Sequence, residues 1–133
     1  MSPSLVIDTS ALMAIVFGEP DAESFQTRLV DSSRRVISAV NLFEAALVAE
    51  RRGGLELRDR LDRLISRLQP EVIPFDERHL GWARDAYRRF GKGRHPAALN
   101  LGDCIAYATA RVAALPLLFK GSDFEQTDIA RVD

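Results

Sequence analysis

Four acids stand where their neighbours make an acid conspicuous: Asp8, Glu44, Asp103 and Asp123. Asp8 ends the apolar run Leu5-Val6-Ile7 and is followed by Thr9 and Ser10. Read on a helix, Glu44 has Val40, Asn41, Leu47 and Val48 at three- and four-residue spacing, so it falls on an apolar stripe. A carboxylate there costs on the order of several kcal/mol unless it is neutralised, hydrogen-bonded or bound to a cation. Asp103 falls in the first turn of a helix, where the dipole favours negative charge, and Asp123 lies in the turn Gly121-Ser122-Asp123-Phe124. None of the four is close to another in sequence, so only the fold can unite them. A few carboxylates completed by water are the usual ligands of Mg²⁺ or Mn²⁺. The Ser10 and Thr9 hydroxyls can hydrogen-bond such a carboxylate or a water on the ion. Each acid also has a plainer use: Asp8 and Asp103 at helix starts, Asp123 in turn chemistry and Glu44 in a salt bridge with an arginine.

The elements that must position them alternate short apolar runs with helical patterns. Strands are expected at Leu5 to Ile7, Val36 to Ser38, Glu71 to Phe75 and Leu117 to Phe119. Helices are expected over Ser10 to Phe17, from the Gly18-Glu19-Pro20-Asp21 start, and from a Ser38 or Asn41 cap to Gly53-Gly54. Three more run over Glu56 to Leu68, Asp76 to Phe90 (Leu80, Ala83, Tyr87 and Phe90 on one face) and Gly102 to Ala114. Short apolar strands separated by helices imply a mostly parallel sheet covered on both faces. Ligands of such sheets collect outside the carboxyl ends of the strands, where Asp8 and Asp123 fall.

Composition narrows the function classes. At 133 residues and 47% hydrophobic, the chain is expected to be one domain, residues 1–133, with a single sizeable core. A formal net charge of -1 excludes a generally basic nucleic-acid binder, so attraction to a polyanion must be local or cation-mediated. The single cysteine, Cys104, excludes an internal disulfide and a multi-cysteine zinc site, and reads as a small buried residue. With no membrane-length apolar run and no signal-peptide pattern, a soluble cytoplasmic protein is expected.

Asp8-Thr9-Ser10 after an apolar strand, Glu44 in Ser-Ala-Val-Asn-Leu-Phe-Glu, Leu101-Gly102-Asp103-Cys104 and the stretch Leu117 to Phe124 come in an order that resembles the PIN-domain ribonucleases. More narrowly, the chain is similar to the VapC toxins of toxin–antitoxin pairs, over essentially its whole length. The resemblance implies a three-layer α/β fold. It also implies that Asp8, Glu44 and Asp103 are catalytic and bind Mg²⁺ or Mn²⁺, with Ser10 supporting them. In many relatives a fourth acid comes two residues before the Asp-Phe pair, which here is Gly121. Its role falls to Asp123, with Asp128 as the alternative. The implied reaction is endonucleolytic hydrolysis of RNA by an activated water, leaving a 5′-phosphate and a 3′-hydroxyl. A homodimer and a VapB-like antitoxin, joined in a toxin–antitoxin hetero-oligomer, are the implied partners.

The segment Arg84 to His95 holds Arg84, Arg88, Arg89, Lys92 and Arg94 against the single acid Asp85. Arg88, Arg89, Lys92 and Arg94 are candidates for steering an RNA backbone, or else form a solvated helix face. Leu42, Phe43, Ala46 and Leu47, with Leu55, Leu57, Leu61, Leu64 and Leu68, offer apolar surface for a partner. Trp82 and Tyr87 read as core. Two other classes compete: a non-catalytic PIN-fold interaction module, favoured by Gly121, and a metal-dependent phosphatase. The phosphatase fares poorly, because its usual second Asp is here Ser10.

Overall fold

The computed structural model describes residues 3–132. Its four strands, β1 (Ser4–Ile7), β2 (Arg34–Ser38), β3 (Glu71–Ile73) and β4 (Leu117–Leu118), form one sheet in the order β3-β2-β1-β4. Every pairing is parallel, with Val6 opposite Val36 and Leu117, so all carboxyl ends share one edge. The order reverses at β1, which makes the gap between β1 and β4 the switch point where α/β sheets gather ligands.

The helices are α1 (Thr9–Val16), α2 (Ala22–Asp31), α3 (Ala39–Leu68), α4 (Glu77–Phe90) and α5 (Leu101–Ala113), followed by a 3-10 turn at Phe124–Gln126. Alternation along the strands supplies two cores. Leu5, Ile7, Ile37 and Leu118 face α1, α2 and α3, whereas Val6, Val36 and Leu117 face α4 and α5. This is the expected three-layer sandwich of helices, parallel sheet and helices.

Ser38 caps α3 by accepting the Val40 N–H at 3.2 Å. The helix breaks at Gly54 (φ 59°, ψ -143°), a left-handed conformation that glycine adopts at little cost. The two helices expected on either side of the glycine pair are therefore the two arms of α3. Leu61, Leu64 and Leu68 are buried in the chain's own core, so they are not partner surface; Phe43, Leu47 and Leu55 remain exposed.

On α4 the buried positions are His79, Ala83, Ala86 and Phe90. Trp82 and Tyr87 are 40% and 45% exposed, which corrects their reading as core, and Leu80, expected on one face with the buried Ala83 and Phe90, is 48% exposed. The helix is rotated because His79 turns inward to complete its capping box, accepting the Asp76 N–H at 3.1 Å. Beyond β4 the chain returns to the sheet edge, where the Leu117 N–H donates to Ala130 O at 2.9 Å and the Val132 N–H to Leu117 O at 3.1 Å. Among the described residues no helix is long and apolar enough to cross a membrane.

Candidate active site

Asp8 is the cap between β1 and α1. Its Oδ2 accepts the Ser10 N–H at 3.0 Å and the Ser10 hydroxyl at 2.5 Å. Ser10 Oγ in turn accepts the Lys120 N–H at 2.9 Å, which ties the start of α1 to the segment leaving β4. Asp8 is 4% exposed. Burial, together with the charges of Asp103 and Glu44, pushes its carboxyl up to about 7 despite the Ser10 hydrogen bonds.

Glu44 arrives from the first arm of α3. The buried stripe there is Asn41, Ala45 and Ala49, so Glu44 stands at its half-buried edge rather than in its centre. Its Oε1 accepts the Thr9 hydroxyl at 2.6 Å, a donor that also reaches Asn41 O at 3.2 Å. Its other oxygen lies over Gly102, where a Cβ would collide with the carboxylate.

Asp103 closes a capping box at the start of α5, its Oδ2 accepting the Asn100 N–H at 3.0 Å while its own N–H donates to Asn100 Oδ1 at 2.9 Å. Burial, then the charges of Asp123 and Glu44, push its carboxyl up to about 6. Asp123 sits on the exposed tip that leads into the 3-10 turn.

The fold thus brings Asp103 into electrostatic range of Glu44 and Asp123, and Asp8 into range of Asp103 and Glu44, and Asp8, Glu44 and Asp103 each keep one oxygen committed to a cap or hydroxyl. Among the described residues, no lysine or arginine pairs with any of the four. Lys120, on the neighbouring strand exit, has its ammonium taken by Glu19 and, at 3.0 Å, by Asp21. No three acid, imidazole or thiol groups among the described residues close on one point. Hard-oxygen donors with open second oxygens and uncompensated charge fit Mg²⁺ or Mn²⁺, which bind few carboxylates and keep several waters.

Asp128, the alternative fourth acid, belongs elsewhere. It accepts the Tyr107 hydroxyl at 2.6 Å and pairs with Arg89 and Arg111, both at 2.8 Å. Against the effect of burial, these donors hold its carboxyl down at about 2. Gly121 has φ 102°, a conformation that strains any residue with a side chain, so the usual acid could not simply be restored there.

Two residues of the site escaped the sequence reading. Asn41 is fully buried and its Nδ2 donates to Gly102 O at 3.0 Å, joining α3 to α5 directly behind Glu44 and Asp103. Gly102 supplies the space that Glu44 fills. A polar residue on the apolar face of α3 was the available signal for Asn41. Cys104 is buried beside Asp103, and burial with that charge pushes its thiol up to about 11.

The basic segment divides. Arg89 is bound to Asp85 and Asp128, and Arg88 to Asp85 at 2.7 Å, while Arg94 lies over the Tyr87 ring at 5.2 Å. Arg84, Arg88 and Arg94 line an apolar cleft of about 900 Å³ between α4 and α5, whose far wall includes Leu101, two residues before Asp103. Lys92 is exposed.

Residues 5–130 match the family described as PIN domain. The chain is 46% identical over 128 residues to a ribonuclease VapC of Mycolicibacterium smegmatis, covering 96% of this chain and 99% of that one. It is 44% identical to ribonuclease VapC30 of Mycobacterium tuberculosis, covering 96% and 98%. Among solved structures, the VapC20 toxin of M. tuberculosis, described as cleaving the sarcin-ricin loop, superposes with a TM-score of 0.78 at 16% identity, covering 97% and 98%. The VapBC2 complex of Rickettsia felis, bound to a DNA fragment from its promoter, gives 0.74 at 14% identity, covering 97% and 96%.

Proposed function

The chain belongs to the PIN domain family, and within it to the VapC ribonucleases, and from that membership we propose that it is a divalent-metal-dependent endoribonuclease, the toxin of a toxin–antitoxin pair. The observation that carries the reading is the group of four acids near the β1/β4 switch point, of which Asp8 and Asp103 are raised by burial and by neighbouring carboxylates, with no lysine or arginine among the described residues paired to them.

In this reading Asp8, Glu44, Asp103 and Asp123 hold Mg²⁺ or Mn²⁺. The ion supplies activation of a water and neutralisation of charge on the scissile phosphate. Ser10 fixes the Asp8 carboxylate through one oxygen and leaves the other for the ion. Thr9 does the same for Glu44, and Asn41 keeps the helices that carry Glu44 and Asp103 at a constant separation. As the family resemblance implies, the attacking group is water rather than the ribose 2′-hydroxyl, and the products carry a 5′-phosphate and a 3′-hydroxyl. Arg84, Arg88 and Arg94, which line the cleft between α4 and α5, and the exposed Lys92 are the cations available to a flanking RNA backbone.

The solved neighbours that are toxin–antitoxin complexes support an antitoxin partner for this chain. A homodimeric toxin, joined with that antitoxin in a hetero-oligomer in the cytoplasm, is the further part of the proposal. Phe43, Leu47 and Leu55, 64%, 45% and 66% exposed along α3, are the apolar surface available to that partner.

The test is cleavage of total RNA by purified protein with Mg²⁺ or Mn²⁺, against EDTA and against Asp103→Asn prepared in parallel. Discrete fragments that require both the metal and Asp103 are expected, with 5′-phosphate ends. Metal binding without any fragments would favour the non-catalytic module instead.

A further inference from the structure

Glu44 and Asp103 lie in α-helices and Asp8 caps one, whereas Asp123 precedes only a three-residue 3-10 turn and makes no cap hydrogen bond there. It rides on the segment between β4 and the returning tail, so its place depends on what holds that segment. One end is fixed at the Lys120 N–H, which donates to Ser10 Oγ at 2.9 Å. The middle is packed by Phe124, 3% exposed and 5.1 Å between ring centroids from Phe119. The turn after it is closed by the Thr127 hydroxyl, which donates to Phe124 O at 2.7 Å.

The other end is fixed by Asp128. Its Oδ1 takes the hydroxyl of Tyr107, a fully buried residue one helical turn after Asp103 on the same face of α5. Its Oδ2 takes Arg111 from that helix and Arg89 from α4. Arg111 also donates to the Tyr107 oxygen, at 3.2 and 3.3 Å, so the three groups lock one another. The helix that presents Asp103 therefore also grips the segment that presents Asp123.

We propose that Asp128 is a positioning residue: through Tyr107, Arg111 and Arg89 it clamps the Asp123 segment to α5 and so sets the distance between Asp123 and Asp103. The proposal rests on the ribonuclease reading. A carboxylate that could not take Gly121's place in the acid cluster thus serves the cluster from outside it.

The test compares Asp128→Asn, Tyr107→Phe, Asp123→Asn and the double variant Asp123→Asn/Asp128→Asn. Readouts are Mn²⁺ affinity, measured by electron paramagnetic resonance of the free ion, kcat and KM on a cleaved RNA, and thermal unfolding. Asp128→Asn is expected to weaken Mn²⁺ binding and lower kcat by about 10-fold each, the scale of lost outer-shell partners, with KM unchanged. Tyr107→Phe keeps the buried ring and is expected to shift both in the same direction by less. Because Asp128 acts through Asp123, the double variant is expected to be no worse than Asp123→Asn alone.

Arg34→Ala, which breaks an exposed ion pair with Glu71 far from the acids, controls for lost stability. Losses in the double variant that multiply, or an Asp128→Asn protein that unfolds earlier yet binds Mn²⁺ and turns over like Arg34→Ala, would overturn the proposal. If the unaltered protein cleaves no RNA, the ribonuclease reading fails on its own. The Mn²⁺ arm then decides alone, unchanged affinity in Asp128→Asn refuting the clamp.

Discussion

The Thr9 hydroxyl donates at 2.6 Å to Glu44 Oε1, joining the first residue of α1 to an acid thirty-five positions later on α3. Among the described residues it is the one hydrogen-bond donor to the Glu44 carboxylate, and so what fixes its rotamer. Thr9→Val, which conserves shape and removes the hydroxyl, is expected to lower RNA cleavage by about 10-fold, in line with other outer-shell partners. Thr9→Ser should retain most activity. Equal activity in Thr9→Val and the unaltered protein would show that Glu44 is placed by other means.

Asp103→Asn is expected to abolish cleavage while the protein stays folded, because an Asn Oδ1 can still accept the Asn100 N–H that Asp103 now accepts at 3.0 Å. Asp8→Ala should also abolish cleavage, and it loses the cap of α1 at a cost of about 1 kcal/mol. Asp8→Asn should be inactive yet melt at a higher temperature near neutral pH, since it removes a buried charge next to Asp103 and Glu44. Circular dichroism and cleavage assays on the three variants check both halves.

Stability of the metal-free protein is expected to fall as pH rises. Asp8 and Asp103 hold their protons up to about 7 and about 6 in the folded chain but release them near the ordinary 3.8 when unfolded. The folded state therefore binds more protons in that window, and deprotonation through it favours unfolding. A divalent cation competes with those protons, so the rise in Tm produced by Mn²⁺ should be small near pH ~5 and large near pH ~8. Thermal melts across this range, with and without EDTA, measure it; a metal effect that shrinks with pH would contradict it.

Gly102→Ala is expected to displace Glu44, because the added Cβ would overlap both carboxylate oxygens. The overpacking should cost about 1–3 kcal/mol and cut cleavage by more than the same change at Gly81, where a Cβ meets open space. Urea unfolding and cleavage rates on the two variants make the comparison.

Lys92→Glu and Arg94→Glu are expected to weaken RNA binding and make it less steep in salt, by about one unit of log–log slope per lost phosphate contact. Arg89→Glu should leave the salt slope unchanged and act instead on stability and, through the broken Asp128 clamp, on Mn²⁺ binding and kcat, since Arg89 is bound to Asp85 and Asp128. Binding titrations at several salt concentrations separate the two effects.

The strands and three-layer architecture were legible because Leu5 to Ile7, Val36 to Ser38 and Leu117 to Phe119 are apolar runs too short for helices, and a doubly covered sheet buries both faces of each. The acids were legible as residue types out of place. The face of α4 was not, because its buried positions are two alanines, a phenylalanine and a histidine engaged in a cap. Against those, Leu80 and Tyr87 gave a stronger and misleading apolar signal. Gly102 and the Asp128 clamp were hidden for a different reason: each is defined by contacts between distant segments, and nothing local marks them, whereas Asn41 was marked only as a polar residue on an apolar helix face.

The tail that runs back along β4 has a bearing on self-association. β4 is only two residues long, and on its outer side Leu117 exchanges hydrogen bonds with Ala130 and Val132. An open strand edge is a template on which another chain can polymerise. By pairing with it, Ala130 and Val132 blunt the rim of the sheet that carries the acids. Val132→Pro, which deletes the amide donated to Leu117, would lay that rim bare, and the harm would show first as aggregation during refolding.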